Sequence, residues 1–177
     1  MHKKRQGYVQ VYTGDGKGKT TAALGLALRG AGHGLKTFVG QFLKRRDCGE
    51  LRAVANLKGS VLIEQFGSGK WHLPGQDPDP IEARLARRGL QRIMEVLKSR
   101  EFDIVVMDEV LVAVKFGLLR ERDVLEVIQS RPEPTELVLT GRGASTAIIE
   151  AADLVSEMQE IKHYFASGVR ARKGIEH

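Results

Sequence analysis

Thr13-Gly14-Asp15-Gly16-Lys17-Gly18-Lys19-Thr20-Thr21 is the stretch of this chain best suited to chemistry, and its chemistry is that of a polyphosphate. Gly14, Gly16 and Gly18 let backbone amides close on an anion, Lys19 adds a point charge, and Thr20 offers a hydroxyl to magnesium. The run after Thr20 forms a helix, whose N-terminus adds favourable partial charge. In the pattern G-x-x-x-x-G-K-[ST] the first glycine position falls on Thr13, so the loop is one residue short or opens on threonine. The structural alternative is a Gly/Lys-rich turn that merely joins a strand to a helix. Three alternating glycines followed by Lys-Thr-Thr favour ATP instead.

A second acidic cluster completes the pattern. Ile104-Val105-Val106-Met107 followed by Asp108-Glu109 resembles a buried strand delivering an acid to magnesium beside the phosphate loop. Thr20 with Asp108 and Glu109 supplies the hard oxygens that magnesium, or manganese in its place, prefers. Trp71, the one tryptophan, lies in an irregular stretch, where it either closes a small core or stacks on a planar ligand. His33, His72 and His163 lack zinc-site spacing, and Cys48 stands alone, which rules out an internal disulfide. No Ser-His-Asp or Cys-His arrangement stands out.

Something must hold these residues together, and the hydrophobic pattern says what. Short apolar or β-branched runs at Tyr8 to Tyr12, Thr37 to Phe42, Val61 to Phe66, Asp103 to Met107, Glu136 to Thr140 and Leu154 to Met158 predict six strands. Helical spacing recurs at Lys19 to Ala31, Ile81 to Ser99 and Glu121 to Gln129. The alternation predicts an α/β fold of three layers, a mainly parallel six-stranded sheet with helices on both faces. Ligands sit at the carboxyl ends of strands in such sheets. The Gly/Lys loop, Gln41 to Lys44, Gly67 to Trp71, Asp108-Glu109 and Thr140-Gly141-Arg142 all fall there, which implies one composite site. Gly67 to Pro80 is the one long irregular connection, with Pro74, Pro78 and Pro80 excluding a regular helix across it.

With 177 residues and 42% hydrophobic content, residues 1–177 form one domain, preceded by a flexible basic arm over residues 1–6. The absence of a long apolar run or a signal-peptide pattern predicts a soluble, cytoplasmic protein without a membrane partner. A net charge of +6 and a pI near 9.6 suit a polyanion, either nucleic acid or a phosphorylated small ligand. Arg84, Arg87, Arg88 and Arg92 recur at helical spacing without interleaved aromatics, which reads as a solvated helix face rather than a nucleic-acid groove. At this level an ATPase or phosphotransferase and a nucleotide-regulated nucleic-acid binder both remain open.

Taken in order, these motifs resemble the ATP:corrinoid adenosyltransferase family over nearly the whole chain. The resemblance rests on the loop Thr13 to Thr21, Gln41-Phe42-Leu43-Lys44, Met107-Asp108-Glu109-Val110 and Lys115 to Leu119. It continues through Leu139 to Ala144, Ala151 to Val155, Lys162-His163 and Gly174-Ile175-Glu176. The shortened loop opening on threonine is that family's form. The resemblance implies a P-loop NTPase, RecA-like fold and a homodimer that binds no nucleic acid. It implies a reaction in which the Co(I) of a reduced corrinoid attacks the 5′ carbon of ATP and triphosphate leaves, in adenosylcobalamin biosynthesis or salvage. It further implies an electron donor such as a reduced flavoprotein, and an ATP that lies reversed in the loop relative to ordinary P-loop ATPases.

Carried onto this chain, Thr13, Gly14, Asp15, Gly16, Lys17, Gly18, Lys19, Thr20 and Thr21 hold the triphosphate. Lys19, Thr20 and Glu109 are the catalytic set, Thr20, Asp108 and Glu109 hold the metal, and Gln41, Lys44, Trp71 and Arg142 belong to the nucleotide and corrinoid pocket. Two departures are visible: Gly67-Ser68-Gly69-Lys70-Trp71 lacks the Phe and one residue of the family's Gly-[Ser/Thr]-Gly-Phe-x-Trp, and Leu111 stands where relatives often carry Asn. Only six residues precede Gly7, so a helical lid over the corrinoid is expected to be missing.

Overall fold

Side chains alternating between the two faces of one sheet divide the apolar residues into two layers. In the computed structural model, which describes residues 6–45, 48–57, 59–69 and 78–176, six strands form: β1 (Val9–Thr13), β2 (Thr37–Phe42), β3 (Val61–Phe66), β4 (Ile104–Asp108), β5 (Glu136–Thr140) and β6 (Leu154–Glu157). Phe38, Val105, Met107, Leu137 and Leu139 point to one face, where they meet α3 (Pro80–Ser99), α4 (Val110–Lys115), α5 (Glu121–Ser130) and α6 (Thr146–Glu150). Val39, Ile104, Val106 and Val138 point to the other, against α1 (Lys19–Gly32) and α2 (Gly49–Val54). Each fully buried side chain of this kind stabilises the fold by about 1.5–3 kcal/mol.

The strand order is β3-β2-β4-β5-β1-β6, and every pair is parallel. This is the three-layer α/β architecture that the alternation of strand and helix patterns predicts. β5 lies between β1 and β4, with Tyr12 opposite Thr140, while Gln41 on β2 is opposite Asp108 on β4. The strands therefore end level with one another, and the turns that follow them share one edge.

The predicted boundaries hold to within one residue, β1 and β4 lying one position further along. Pro80 departs from the expectation. It opens α3 at the first-turn position, where a missing N–H costs nothing, with the Asp79 side chain capping Ile81 N at 2.7 Å. Arg84, Arg87 and Arg88 do form an exposed helix face. Arg92 instead turns back, pairing with Glu64 of β3 at 3.0 Å and lying 5.6 Å above the Phe38 ring.

Candidate active site

β1 delivers the phosphate loop, and the packing around it explains why its glycines are there. Gly14 has φ +90°, and a Cβ on it would come within 2.4 Å of the Met158 carbonyl oxygen. A Cβ on Gly16 would meet the Gln159 backbone at 2.7 Å. The loop is thus pressed against the chain leaving β6, and Gly16 N donates to Met158 O at 2.6 Å. Thr13 is buried, and its Oγ1 accepts from Ala144 N at 3.3 Å. A glycine at this position would lack that tie between the phosphate loop and the turn after β5.

α1 then begins at Lys19 with no side-chain cap and no acid in its first turn. Its leading N–H groups are left to an anion. Lys19, almost fully buried, donates to the Gly14 and Gly16 carbonyls at 2.6 Å each, and burial pushes its ammonium below the usual lysine range. Lys17 points along the loop to the C-terminal segment, donating to Glu176 Oε1 at 2.9 Å.

The acid side is built on β4. Asp108 is fully buried and accepts four hydrogen bonds. Thr20 Oγ1 and Thr140 Oγ1 reach Oδ1 at 2.7 Å each, while Lys44 Nζ at 2.7 Å and Gln41 Nε2 at 3.2 Å reach Oδ2. Gln41 is itself held by Gln65 Nε2 at 3.0 Å. Burial lowers the Lys44 ammonium, but Asp108's charge and hydrogen bond outweigh it, and the net shift is upward.

Two non-glycine residues at strand ends adopt left-handed backbone: Leu43 at φ 60° after β2 and Glu109 at φ 62° after β4. Conformations of this kind cost about 1–3 kcal/mol and cluster at functional sites. Here they turn Lys44 and Glu109 into the same cavity. Glu109 N donates to Thr140 Oγ1 at 2.9 Å, and its carboxylate makes no cap to α4. Burial, and after it the charge of Asp108, raises the Glu109 carboxyl above the ordinary range.

Asp15, Gly16, Lys17, Gly18, Lys19, Thr20, Thr21, Lys44, Glu109 and Arg142 line one cavity of about 740 Å³, within the size range of small-molecule sites. Arg142 reaches it from the turn after β5 and lies 3.8 Å from Asp15. Gln41 and Asp108 are buried and do not line the cavity, and neither do Thr13 and Gly14 at the start of the loop. Trp71 falls outside the described residues. The oxygen chemistry fits a magnesium ion. The Thr20 hydroxyl spends its proton on Asp108, which leaves its lone pairs for a cation, and two adjacent carboxyls provide the charge.

The profile of the ATP:corrinoid adenosyltransferase BtuR/CobO/CobP family matches residues 5–177. The chain belongs to this family. It is 37% identical to a corrinoid adenosyltransferase of Pseudomonas aeruginosa, covering 97% of this chain and 84% of that protein. It is 35% identical to one of Escherichia coli K12, covering 97% and 86%. Among solved structures, a KaiC-like protein of Pyrococcus horikoshii shares the fold with a TM-score of 0.56 at 22% identity, covering 88% of this chain and 74% of that one. The fold is that of the RecA-like P-loop NTPases.

Within this adenosyltransferase family fold, Leu111 serves packing. It is buried, and its Cβ lies 2.8 Å from where a Cβ on Gly141 would stand, so Leu111 helps define the turn carrying Arg142. Sequence reasoning placed Thr140, which ties Asp108 to the Glu109 backbone, in the cluster after the fifth strand but gave it no role of its own. It also assigned no role to His163 and Gly174 to Glu176, which form a further wall of the cavity. The signal for that wall was present in Lys162-His163 and Gly174-Ile175-Glu176, as motifs without a partner.

Proposed function

We propose that this chain transfers the 5′-deoxyadenosyl group of ATP to the Co(I) of a reduced corrinoid and releases triphosphate. The observation that carries this reading is a cavity lined at once by the phosphate loop, Lys17, Lys19, Thr20, Glu109 and Arg142, in a chain matched to corrinoid adenosyltransferases from end to end. The bond that forms is cobalt to carbon, and the bond that breaks joins the same ribose carbon to the triphosphate oxygen. Co(I) supplies both electrons of the new bond and carries no proton, so no general base is required. What the protein must do is place the ribose carbon in line with cobalt and stabilise the charge gathering on the leaving triphosphate.

Lys17, Lys19, the loop amides and the α1 N-terminus perform the second task, with Arg142 adding charge from the β5 side. Thr20 and Glu109, supported by Asp108, hold magnesium, which when bound neutralises part of the triphosphate charge. Lys44 and Gln41 hold Asp108 in place through hydrogen bonds to its Oδ2. Trp71 serves on the corrinoid side. Preparing Co(I) from Co(II) takes one electron from a donor such as a reduced flavoprotein, which fits a cytoplasmic setting. A homodimer belongs to the same reading, supported by the edge strand β6, whose Leu154 and Val155 are exposed.

The decisive experiment mixes the protein with magnesium, ATP and chemically reduced corrinoid, follows the corrinoid spectrum, and identifies the phosphate product. A cobalt-carbon species with inorganic triphosphate is expected. ADP without a new corrinoid species would mean phosphoryl transfer instead and would overturn the proposal.

A further inference from the structure

Lys17 is the phosphate-loop residue whose partners are least expected. Its ammonium has three N–H donors, and in this structure all three have an acceptor in the C-terminal segment: Glu176 Oε1 at 2.9 Å, Tyr164 Oη at 3.1 Å and the Ile175 carbonyl at 3.3 Å. A phosphate oxygen can be bound by Lys17 only if one of these is given up. Lys19 differs, because its acceptors are two neutral loop carbonyls and its third N–H has no acceptor among the described residues.

Glu176 is equipped to lose this partner. Its Oε2 accepts from Arg172 N at 2.7 Å and Arg172 Nε at 3.3 Å, its Oε1 accepts from Arg172 Nη2 at 3.2 Å, and the Tyr164 hydroxyl also donates to Oε1. When Lys17 leaves, the carboxylate keeps its charge partner and its position. The Lys17 side chain is 40% exposed and that of Glu176 16% exposed, so Lys17 has room to leave while Glu176 stays among its other partners. Both line the cavity that holds the phosphate loop.

We propose that Glu176 is an internal stand-in for a phosphate, holding Lys17 while the loop is empty and competing with triphosphate for it. The C-terminal segment thereby sets the affinity of the site, and it takes Lys17 back as triphosphate departs at the end of turnover. This rests on the reading that the loop holds a triphosphate. It adds that the bound ligand must exchange a carboxylate already in place.

Calorimetric titration with magnesium and inorganic triphosphate tests it in four proteins: the unaltered chain, Glu176→Gln, Lys17→Met and the double variant. Neither Lys17 nor Glu176 belongs to either apolar core, so both substitutions leave the packing around the sheet in place. Glu176→Gln is expected to tighten triphosphate binding about two- to fivefold, the range of an exposed ion pair. In the Lys17→Met background the same change is expected to have no effect. Weaker or unchanged binding in Glu176→Gln would overturn the proposal, since Glu176 would then support Lys17 or be irrelevant to it. A gain that persists without Lys17 would overturn it too, as a general effect of charge. If the unaltered chain fails to bind triphosphate, the phosphate-loop reading itself falls and this inference with it.

Discussion

The N-termini of α1 and α3 are built on opposite principles. α3 is self-sufficient: Asp79 caps it, Pro80 occupies the first turn without wasting a donor, and Glu82 adds an acid at its positive end. α1 has none of these. Its preceding residue is Gly18 at φ 122°, its first turn holds no acid, and it opens on a lysine, a cation placed at the positive end of a helix. A helix end that satisfies itself is structural, whereas one left bare beside a lysine-rich loop is completed by an anion.

The strongest way to break this contrast is at Lys19. Lys19→Ala should lower turnover by about 10²–10³-fold, the scale of losing one positioned charge on a developing anion, while Asp79→Ala should leave turnover unchanged. Steady-state rates of the two variants decide it. Glu109→Gln comes next, and it should act on activity and stability in opposite directions. On the proposed reading, losing a carboxylate from the magnesium site should lower turnover. In the nucleotide-free protein the Glu109 carboxyl titrates above its unfolded value, so its stabilising contribution is present in acid and is lost as pH rises through the folded value. The variant should therefore melt higher than the parent at neutral pH, with the gap closing as pH falls through that titration. Thermal melts across pH check the sign.

Smaller effects sharpen the comparison. Asp79→Ala should cost about 1 kcal/mol of stability in a denaturant titration without altering ATP affinity. Thr21→Asp gives α1 the acid it lacks. Stability should rise by about 0.3–1 kcal/mol while ATP affinity falls, measurable by melting and calorimetry on one sample.

Much of this was legible in the sequence, and the exceptions have physical reasons. β2, β3 and β5 were visible to the residue because short apolar or β-branched runs bounded by turn residues are a local signal. α4 was not, since Val110-Leu111-Val112-Ala113-Val114 carries three β-branched valines and becomes helical through burial beneath the β5 turn. The phosphate loop, Thr20, Asp108 and Glu109 could be named from motif spacing, and Arg142 from its place after a strand together with the family resemblance. The support of Asp108 by Gln41 and Thr140 could not, because it depends on neighbouring strands ending level. Glu176 lies 159 positions from Lys17, beyond the reach of any spacing rule.

The strand order carries a consequence for how the protein is made. β1 leaves a ribosome well before its two sheet neighbours, β5 and β6, with Val9 paired to Leu137 and Gln10 to Leu154. Until those late strands emerge, the phosphate loop has neither the sheet that aims it nor the Met158 backbone that presses it into shape. Long-range parallel pairing of this kind is intrinsically slow and leaves apolar strands exposed meanwhile. A growing chain thus cannot complete the phosphate loop until β5 and β6 have emerged.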